Sequence, residues 1–200
     1  MSIKEFYLKT METFYVHILW VLTIVFGLMI TFGAATKALD RVMFQIYNKD
    51  EPTPVFSLFI KSFKDDFLIS TGVWFLIIIF GVPIVYMLYY AVIHNNVALM
   101  IIGILASYQI LMFLFYSFAV MAIFETDNFF KLLKNIFLMQ SRFIFSNVKI
   151  LGNFAIIVFI ALLTRIELIY IVLLVYGFIT TFYLRKPFEL IKQNVIKENV

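Results

Sequence analysis

Residues 67–124 form a run of fifty-eight consecutive residues without Asp, Glu, Lys or Arg. About 20 apolar residues cross the hydrocarbon core of a bilayer, so a run of this length provides two membrane spans. His94, Asn95 and Asn96 interrupt the run near its middle, and polar residues of this kind favour a tight turn. The run therefore predicts a transmembrane helical hairpin with spans at 67–93 and 97–124.

The composition of the chain supports a membrane class for the whole protein. Hydrophobic residues make up 64% of the chain and charged residues 14%. In soluble domains, roughly half of the residues are hydrophobic and about a quarter are charged. We therefore predict an all-α, polytopic membrane helix bundle that forms a single domain over residues 1–200, with the lipid bilayer as its main partner. The sequence contains no cysteine, which excludes disulfides, thiolate metal sites and thiol nucleophiles.

Three further apolar segments bring the predicted number of transmembrane helices to about five. The first is 14–36, and the last two are 150–164 and 168–184, separated by Arg165, Ile166 and Glu167. The last two segments are shorter than a usual span of about 20 residues. They form either a full hairpin in a thinned bilayer or a re-entrant hairpin with Arg165 and Glu167 at depth, where charges are costly and usually functional. Both alternatives remain open.

Two amphipathic connections, 37–66 and 125–149, join these spans. In each, charged residues recur at helical spacing opposite an apolar stripe, which predicts helices lying along the membrane surface. Two prolines and a charge cluster divide the first connection near Pro52. The exposed cations could bind a partner or could simply be solvated. The candidate residues for a partner-binding face are Lys37, Asp40, Arg41, Lys61, Lys64, Lys131, Lys134 and Arg142.

The distribution of Lys and Arg predicts the orientation. With five spans, the two connections and the tail 185–200 carry 13 of these residues, and the other side carries 3. Lys and Arg collect on the cytoplasmic side of membrane proteins. The predicted N-terminus is therefore outside, and the connections and the C-terminus are cytoplasmic.

Residues 33–39, Gly-Ala-Ala-Thr-Lys-Ala-Leu, are followed by an acidic and proline-containing break and then by Val-Phe-Ser-Leu-Phe-Ile-Lys-Ser-Phe-Lys-Asp-Asp-Phe at 55–67. This pattern resembles the YesL-like family of uncharacterised bacterial integral membrane proteins. The family often has proline after the glycine, where this chain has Ala34. The resemblance implies a location in the bacterial plasma membrane and a connection with carbohydrate uptake and utilisation. It implies no catalytic residues.

The polar residues of the spans predict no reaction. The two histidines, His17 and His94, fit an interfacial aromatic belt and a turn, although His94 is also a candidate for an outer polar site. We therefore expect no catalytic, cofactor or metal site and no nucleic-acid partner; a homo-oligomer is left open. The expected function is non-enzymatic, as an accessory or regulatory partner of a bacterial carbohydrate transporter or sensor. The alternative is a small-solute, sugar-type transporter.

Overall fold

The computed structural model describes residues 3–48, 53–124, 129–164 and 182–184. Every regular element in these ranges is a helix, which confirms the predicted all-α class. The predicted span 168–184 and the tail 185–200 lie outside the described residues, except for residues 182–184. The helices are α1 (Ile3–Phe26), α2 (Phe32–Asn48), α3 (Val55–Lys64), α4 (Phe67–Ile93), α5 (Val97–Ile123), α6 (Phe129–Arg142) and α7 (Ile144–Thr164).

α4 and α5 form the hairpin that the uncharged run predicts. Each helix has 27 residues and is therefore about 40 Å long. Asn95 turns the chain with a φ of 50°, a left-handed conformation that asparagine tolerates better than most residues. Asn96 caps α5, because its Oδ1 accepts a hydrogen bond from the Leu99 amide at 3.1 Å. The hairpin thus has Phe67 and Ile123 at one end and His94 at the other.

The apolar helices indicate a multi-pass membrane protein. α1, α4 and α5 are each long and apolar enough to cross a bilayer, and α6 with α7 passes the same test as one bent pair. This gives three or four candidate spans in the described part of the chain. The predicted total of about five includes 168–184, whose span lies outside that part.

The first apolar segment, 14–36, is broken rather than one continuous helix, which corrects the sequence prediction. α1 ends at Phe26 and α2 begins at Phe32. Between them Leu28 and Met29 have φ values of 48° and 66°, which is the left-handed region that L residues rarely adopt. Backbone hydrogen bonds within residues 23–32 form the turn, and two side chains add to them: Thr31 Oγ1 donates to the Thr23 carbonyl at 2.8 Å, and Trp74 Nε1 donates to the Met29 carbonyl at 3.1 Å.

α2 is the central helix of the N-terminal half, because it packs against α1, α3, α4 and α5. It approaches α4 closely at Gly33, where a Cβ would lie 2.2 Å from the Ser70 carbonyl oxygen. Only glycine permits this distance between the two backbones. The apolar side chains of α1, α2 and α3 form one buried cluster, and those of α4 to α7 form most of a second.

α1 and α2 are antiparallel, which changes the predicted side of the N-terminus. Thr23 is hydrogen-bonded to Thr31, and Trp20, which lies earlier in α1, is hydrogen-bonded to Thr36, which lies further along the chain. The two helices therefore run in opposite directions. Near the start of the chain, Glu12 Oε1 accepts a hydrogen bond from the Thr53 amide at 2.9 Å. These two atoms cannot lie on opposite sides of a membrane. The expectation that the N-terminus lies across the bilayer from the 37–66 connection is therefore wrong.

α6 packs along α5, not away from it. The ring centroids of Phe113 and Phe137 are 5.7 Å apart, and Gln109 Nε2 donates to Gln140 Oε1 at 2.7 Å. α6 therefore runs back, antiparallel, beside the C-terminal half of a candidate span, whereas the sequence predicted a helix along the membrane surface. The physical reason is that its apolar stripe, including Leu132 and Ile136, is buried against the bundle. α7 leaves α6 at a bend of 86° and begins before residue 150, the predicted start of that span.

Candidate functional site

The residues of the predicted partner-binding face divide into an exposed set and a buried set. Arg41 is half-buried, whereas Lys37 and Asp40 have relative exposures of 1% and 0%. The expectation that Lys37 and Asp40 face the surface is therefore wrong, because the polar stripe of α2 packs inside the protein. The exposed members are Lys61 and Lys64 on α3 and Lys131, Lys134 and Arg142 on α6.

Lys37 connects α2 to the turn between α3 and α4. Its Nζ donates to the Asp65 carbonyl oxygen at 2.6 Å and to Asp66 Oδ2 at 2.9 Å. The Lys37 side chain is 1% exposed, and the Asp66 side chain is 51% exposed. A buried ammonium is costly unless it is paired and hydrogen-bonded, and both conditions are met. Lys37 thus stabilises the packing of α2 against α4.

His17 and Asp40 lie at the same level of the α1–α2 pair. The Trp20–Thr36 hydrogen bond fixes the register; His17 lies one turn before Trp20, and Asp40 lies one turn after Thr36. His17 is 3% exposed, and its Nδ1 lies 2.7 Å from the Thr13 carbonyl oxygen, an acceptor, so Nδ1 carries the proton. The sequence had suggested an interfacial histidine. The structure instead places three ionisable side chains, including Lys37, in the interior of the α1–α3 unit.

Four of the exposed lysines lie at one end of the α4–α5 hairpin. Lys61 and Lys64 immediately precede α4, and Lys131 and Lys134 lie in the first turns of α6, just after α5. We call this the basic end. His94 is exposed at the opposite end, where its ring centroid is 4.2 Å from that of Tyr90. Arg165 and Glu167 lie outside the described residues.

A second polar site, which sequence reasoning missed, lies where α6 bends into α7. Asn147 Nδ2 donates to the Gln140 carbonyl at 2.8 Å across the bend, and Tyr116 Oη donates to Asn147 Oδ1 at 2.7 Å. Together with the Gln109–Gln140 bond, these contacts form a buried network of neutral amides and a phenol against the middle of α5. In the sequence, Gln140 indicates this site, because it is a polar residue on the otherwise apolar stripe of the 125–149 connection.

This network borders a cavity of about 320 Å³. Gln140 is 5% exposed, and its Nε2 has no hydrogen-bond partner among the described residues. The site offers neutral hydrogen-bonding groups, which suit the recognition of a polar oxygen. The described residues contain no group of three or more His, Asp or Glu side chains that could hold a metal ion. The cavity is lined by Tyr108, Gln109, Met112, Phe137, Gln140, Ser141 and Ile144.

The part of the chain that matches a known family model contains the first of these two sites, the one around Lys37. Residues 13–89 match the model of DUF624, a protein family of unknown function. The DUF624 segment includes most of α1, all of α2 and α3, and α4 as far as Tyr89. It therefore contains the Lys37–Asp66 ion pair and the close approach at Gly33, but neither α6 nor α7. No curated protein matches the chain, and no solved structure matches it either.

Proposed function

We propose that the protein is a non-enzymatic membrane protein that acts as an accessory or regulatory partner of a bacterial carbohydrate uptake or sensing system. The observation that carries the accessory role is the basic end. Four exposed lysines from two helices that are distant in sequence lie at the same end of one hairpin. Such a patch favours an acidic partner surface and steers its approach.

The Lys37–Asp66 ion pair supports this role by holding α3 in place. Because Lys37 also bonds to the Asp65 carbonyl, it joins α2 to the residues that directly follow Lys64. The lysines of α3 are thus presented from an element that is fixed to the bundle. A pre-organised surface loses less conformational entropy on binding.

The carbohydrate part of the proposal comes from the resemblance of 33–39 and 55–67 to YesL-like proteins. That family belongs to DUF624, whose model matches the same region. We place the protein in the bacterial plasma membrane with the basic end toward the cytoplasm, as the positive-inside tendency favours. The α1–α2 hairpin brings Lys4 and Lys9 to this side as well, which increases the charge asymmetry.

Affinity purification from native membranes tests the accessory role. We expect a membrane component of a carbohydrate transporter or sensor to co-purify with the tagged chain, and the variant K61E/K64E/K131E/K134E to lose it. The matched control is His94→Ala at the opposite end, which should retain the partner. Enrichment of no such component, or equal recovery with the charge-reversed variant, would count against the proposal.

A small-solute transporter is the second candidate, and the bend between α6 and α7 is the observation that favours it. Transporters commonly place polar ligand sites at broken helices near the middle of the membrane, and the Gln140 network lies beside the middle of α5. The purified protein in liposomes would then take up a labelled sugar. Uptake that Gln140→Leu abolishes would replace the accessory role with transport.

A further inference from the structure

The turn between α1 and α2 lies beside the first third of α4 and the last third of α5. Trp74, which donates to the Met29 carbonyl, lies seven residues after the start of α4. The Phe32 ring centroid lies 4.2 Å from that of Trp74 and 6.2 Å from that of Phe118, which is five residues before the end of α5. The turn is therefore about 8–10 Å from the basic end of the hairpin and about 30–35 Å from the His94 end.

This position places the turn in the hydrocarbon region of one leaflet. The α4–α5 hairpin is about 40 Å long, and the hydrocarbon core is about 30 Å thick, so about 5 Å at each end of the hairpin lies among the headgroups. Tyr86, Tyr89 and Tyr90 are exposed near the His94 end, and they fit an aromatic belt at that interface. The turn thus reaches the acyl chains of the nearer leaflet and ends well short of the opposite interface.

The side chains of the turn suit a hydrocarbon environment. Residues 13–36 carry no formal charge. Within 25–30, which we call the hairpin tip, every residue except glycine is apolar and between 52% and 83% exposed. Such a concentration of exposed apolar side chains is unfavourable in water. Leu68 and Phe75, at a similar level of α4, are also exposed, so the tip and the hairpin present apolar side chains at one depth.

The backbone of the hairpin tip is also suited to a dry environment. Non-helical backbone is tolerated at membrane depth where its polar groups are satisfied within the protein. The amides of residues 27–30 all donate to carbonyls of residues 23–27, and the Phe32 amide donates to the Met29 carbonyl. The same carbonyl accepts the hydrogen bond from the Trp74 indole. These groups therefore need no water.

We propose that the α1–α2 hairpin is re-entrant: its tip inserts among the acyl chains of the leaflet at the basic end, and α1 does not cross the bilayer. α1 has the length and hydropathy of a span, but its C-terminal end is held beside the first third of α4. Among α1 to α5, the two helices that cross are then α4 and α5. This lipid contact is independent of the accessory role, because it involves the hairpin tip and not the lysines of the basic end.

Nitroxide labels on single cysteines measure the depth of the hairpin tip in the full chain, reconstituted in liposomes of phosphatidylethanolamine and phosphatidylglycerol. The labels are placed at Phe26 in the tip, at Phe80 in the middle of α4, and at Ser57, exposed on α3, as the aqueous control. The measurement is the collision rate with oxygen, which enters the hydrocarbon, and with a water-soluble nickel chelate. We expect nickel collisions at Phe26→Cys to be at least about fivefold rarer than at Ser57→Cys, because the hydrocarbon core excludes the chelate.

The ratio of oxygen to nickel collisions at Phe26→Cys should lie between the ratios at Ser57→Cys and Phe80→Cys. A ratio equal to that of Ser57→Cys would place the tip in water and overturn the proposal. A ratio equal to or above that of Phe80→Cys would place the tip at the middle of the bilayer, which also overturns it. Circular dichroism establishes that each labelled chain is folded, and Val25→Cys reports on the same tip if the label at Phe26 prevents folding.

Distances between pairs of labels identify the leaflet. We expect the distance from Phe26→Cys to Leu68→Cys to be shorter by about 10 Å or more than the distance from Phe26→Cys to Ile93→Cys, since these two positions lie at opposite ends of α4. A shorter distance to Ile93→Cys would show that α1 crosses the bilayer. A dipolar interaction between chains labelled at Phe26 alone would show that a second copy, rather than lipid, covers the tip. Either result overturns the proposal.

Discussion

Glu12 and Thr53 are joined by a hydrogen bond of 2.9 Å between a side-chain carboxylate and a backbone amide. The first residue lies in α1 and the second directly precedes α3, so forty-one positions of sequence separate them. The chain between them enters the bundle through α1, reverses at residues 27–31 and returns through α2. The N-terminal part of the DUF624 segment is therefore a helical hairpin, both of whose ends lie on one side.

The first prediction concerns this topology. Because the chain has no cysteine, single cysteines report their own positions. We expect cysteines at the exposed positions Thr10 and Ser57 to react with an impermeant thiol reagent from the same side of the membrane. A cysteine in place of His94 should react from the opposite side. Labelling of Thr10→Cys and Ser57→Cys from opposite sides would contradict the α1–α2 hairpin.

The second prediction concerns the buried ammonium of Lys37. Asp66→Asn keeps the size of the side chain and its tolerance of the left-handed conformation (φ 53°), but it removes the compensating charge. The change leaves the buried Lys37 ammonium without its counter-charge, but the Asp66 side chain is 51% exposed and water screens part of the interaction. We therefore expect the free energy of unfolding to fall by about 1–2 kcal/mol. The thermal unfolding temperature in detergent measures this. Asp65→Asn is the control, because Lys37 contacts the backbone carbonyl of Asp65, and its effect should stay within about 0.5 kcal/mol.

The third prediction concerns the contact between α2 and α4. Gly33→Ala places a methyl group 2.2 Å from the Ser70 carbonyl oxygen, so the two backbones must move apart. We expect a loss of stability of about 1–3 kcal/mol, the usual cost of overpacking. At Gly72, on α4, a Cβ would meet nothing within 4 Å. Gly72→Ala should therefore be neutral or stabilising, by up to about 1 kcal/mol. Similar unfolding temperatures for the two variants would show that this close approach does not form.

The fourth prediction concerns the network at the α6–α7 bend. Tyr116→Phe removes the donor to Asn147 Oδ1 and leaves a buried acceptor unpaired, which costs about 1–3 kcal/mol. Tyr89→Phe is the control, because Tyr89 is 64% exposed and its change leaves no buried group unpaired. Unfolding temperatures of the two variants in the same detergent provide the comparison. An effect of Tyr116→Phe no larger than that of Tyr89→Phe would exclude a structural role for this hydrogen bond.

Local features of the sequence were sufficient to predict α4, α5 and the turn between them. The length of the uncharged run predicts the two helices, and the asparagines at 95 and 96 predict the turn at their own positions. Hydrogen bonds of side chains within the spans depend on more than local sequence: Gln109 bonds to Gln140 of another helix. Ser117, on the same helix, donates to the Phe113 carbonyl of its own helix. A serine hydroxyl can donate to a neighbouring helix or to a carbonyl of its own helix, and the sequence does not distinguish these two cases.

Features that depend on distant partners were not predictable. Lys37 and Asp40 follow the spacing of a surface stripe, and the contacts of the buried Lys37 are with the turn between α3 and α4. The break after Phe26 lacks proline, and the left-handed residues are Leu28 and Met29, which carry no turn signal. The direction of α6 depends on Gln109 and Gln140, thirty-one positions apart. For Lys37 and for α6 the deciding contact joins segments that are separate in sequence, and the break after Phe26 adds a contact with Trp74 of α4 to its local hydrogen bonds.

The turn between α1 and α2 has a consequence for the order of assembly. A left-handed conformation costs about 1–2 kcal/mol for each of Leu28 and Met29, and the Trp74 indole that bonds to the Met29 carbonyl belongs to α4. The hydrogen bonds within residues 23–32 can form before α4 is made, whereas the bond from the indole needs a helix that follows later in the chain. We therefore expect the reversal of the chain to gain stability in a second step, when α4 packs against α2.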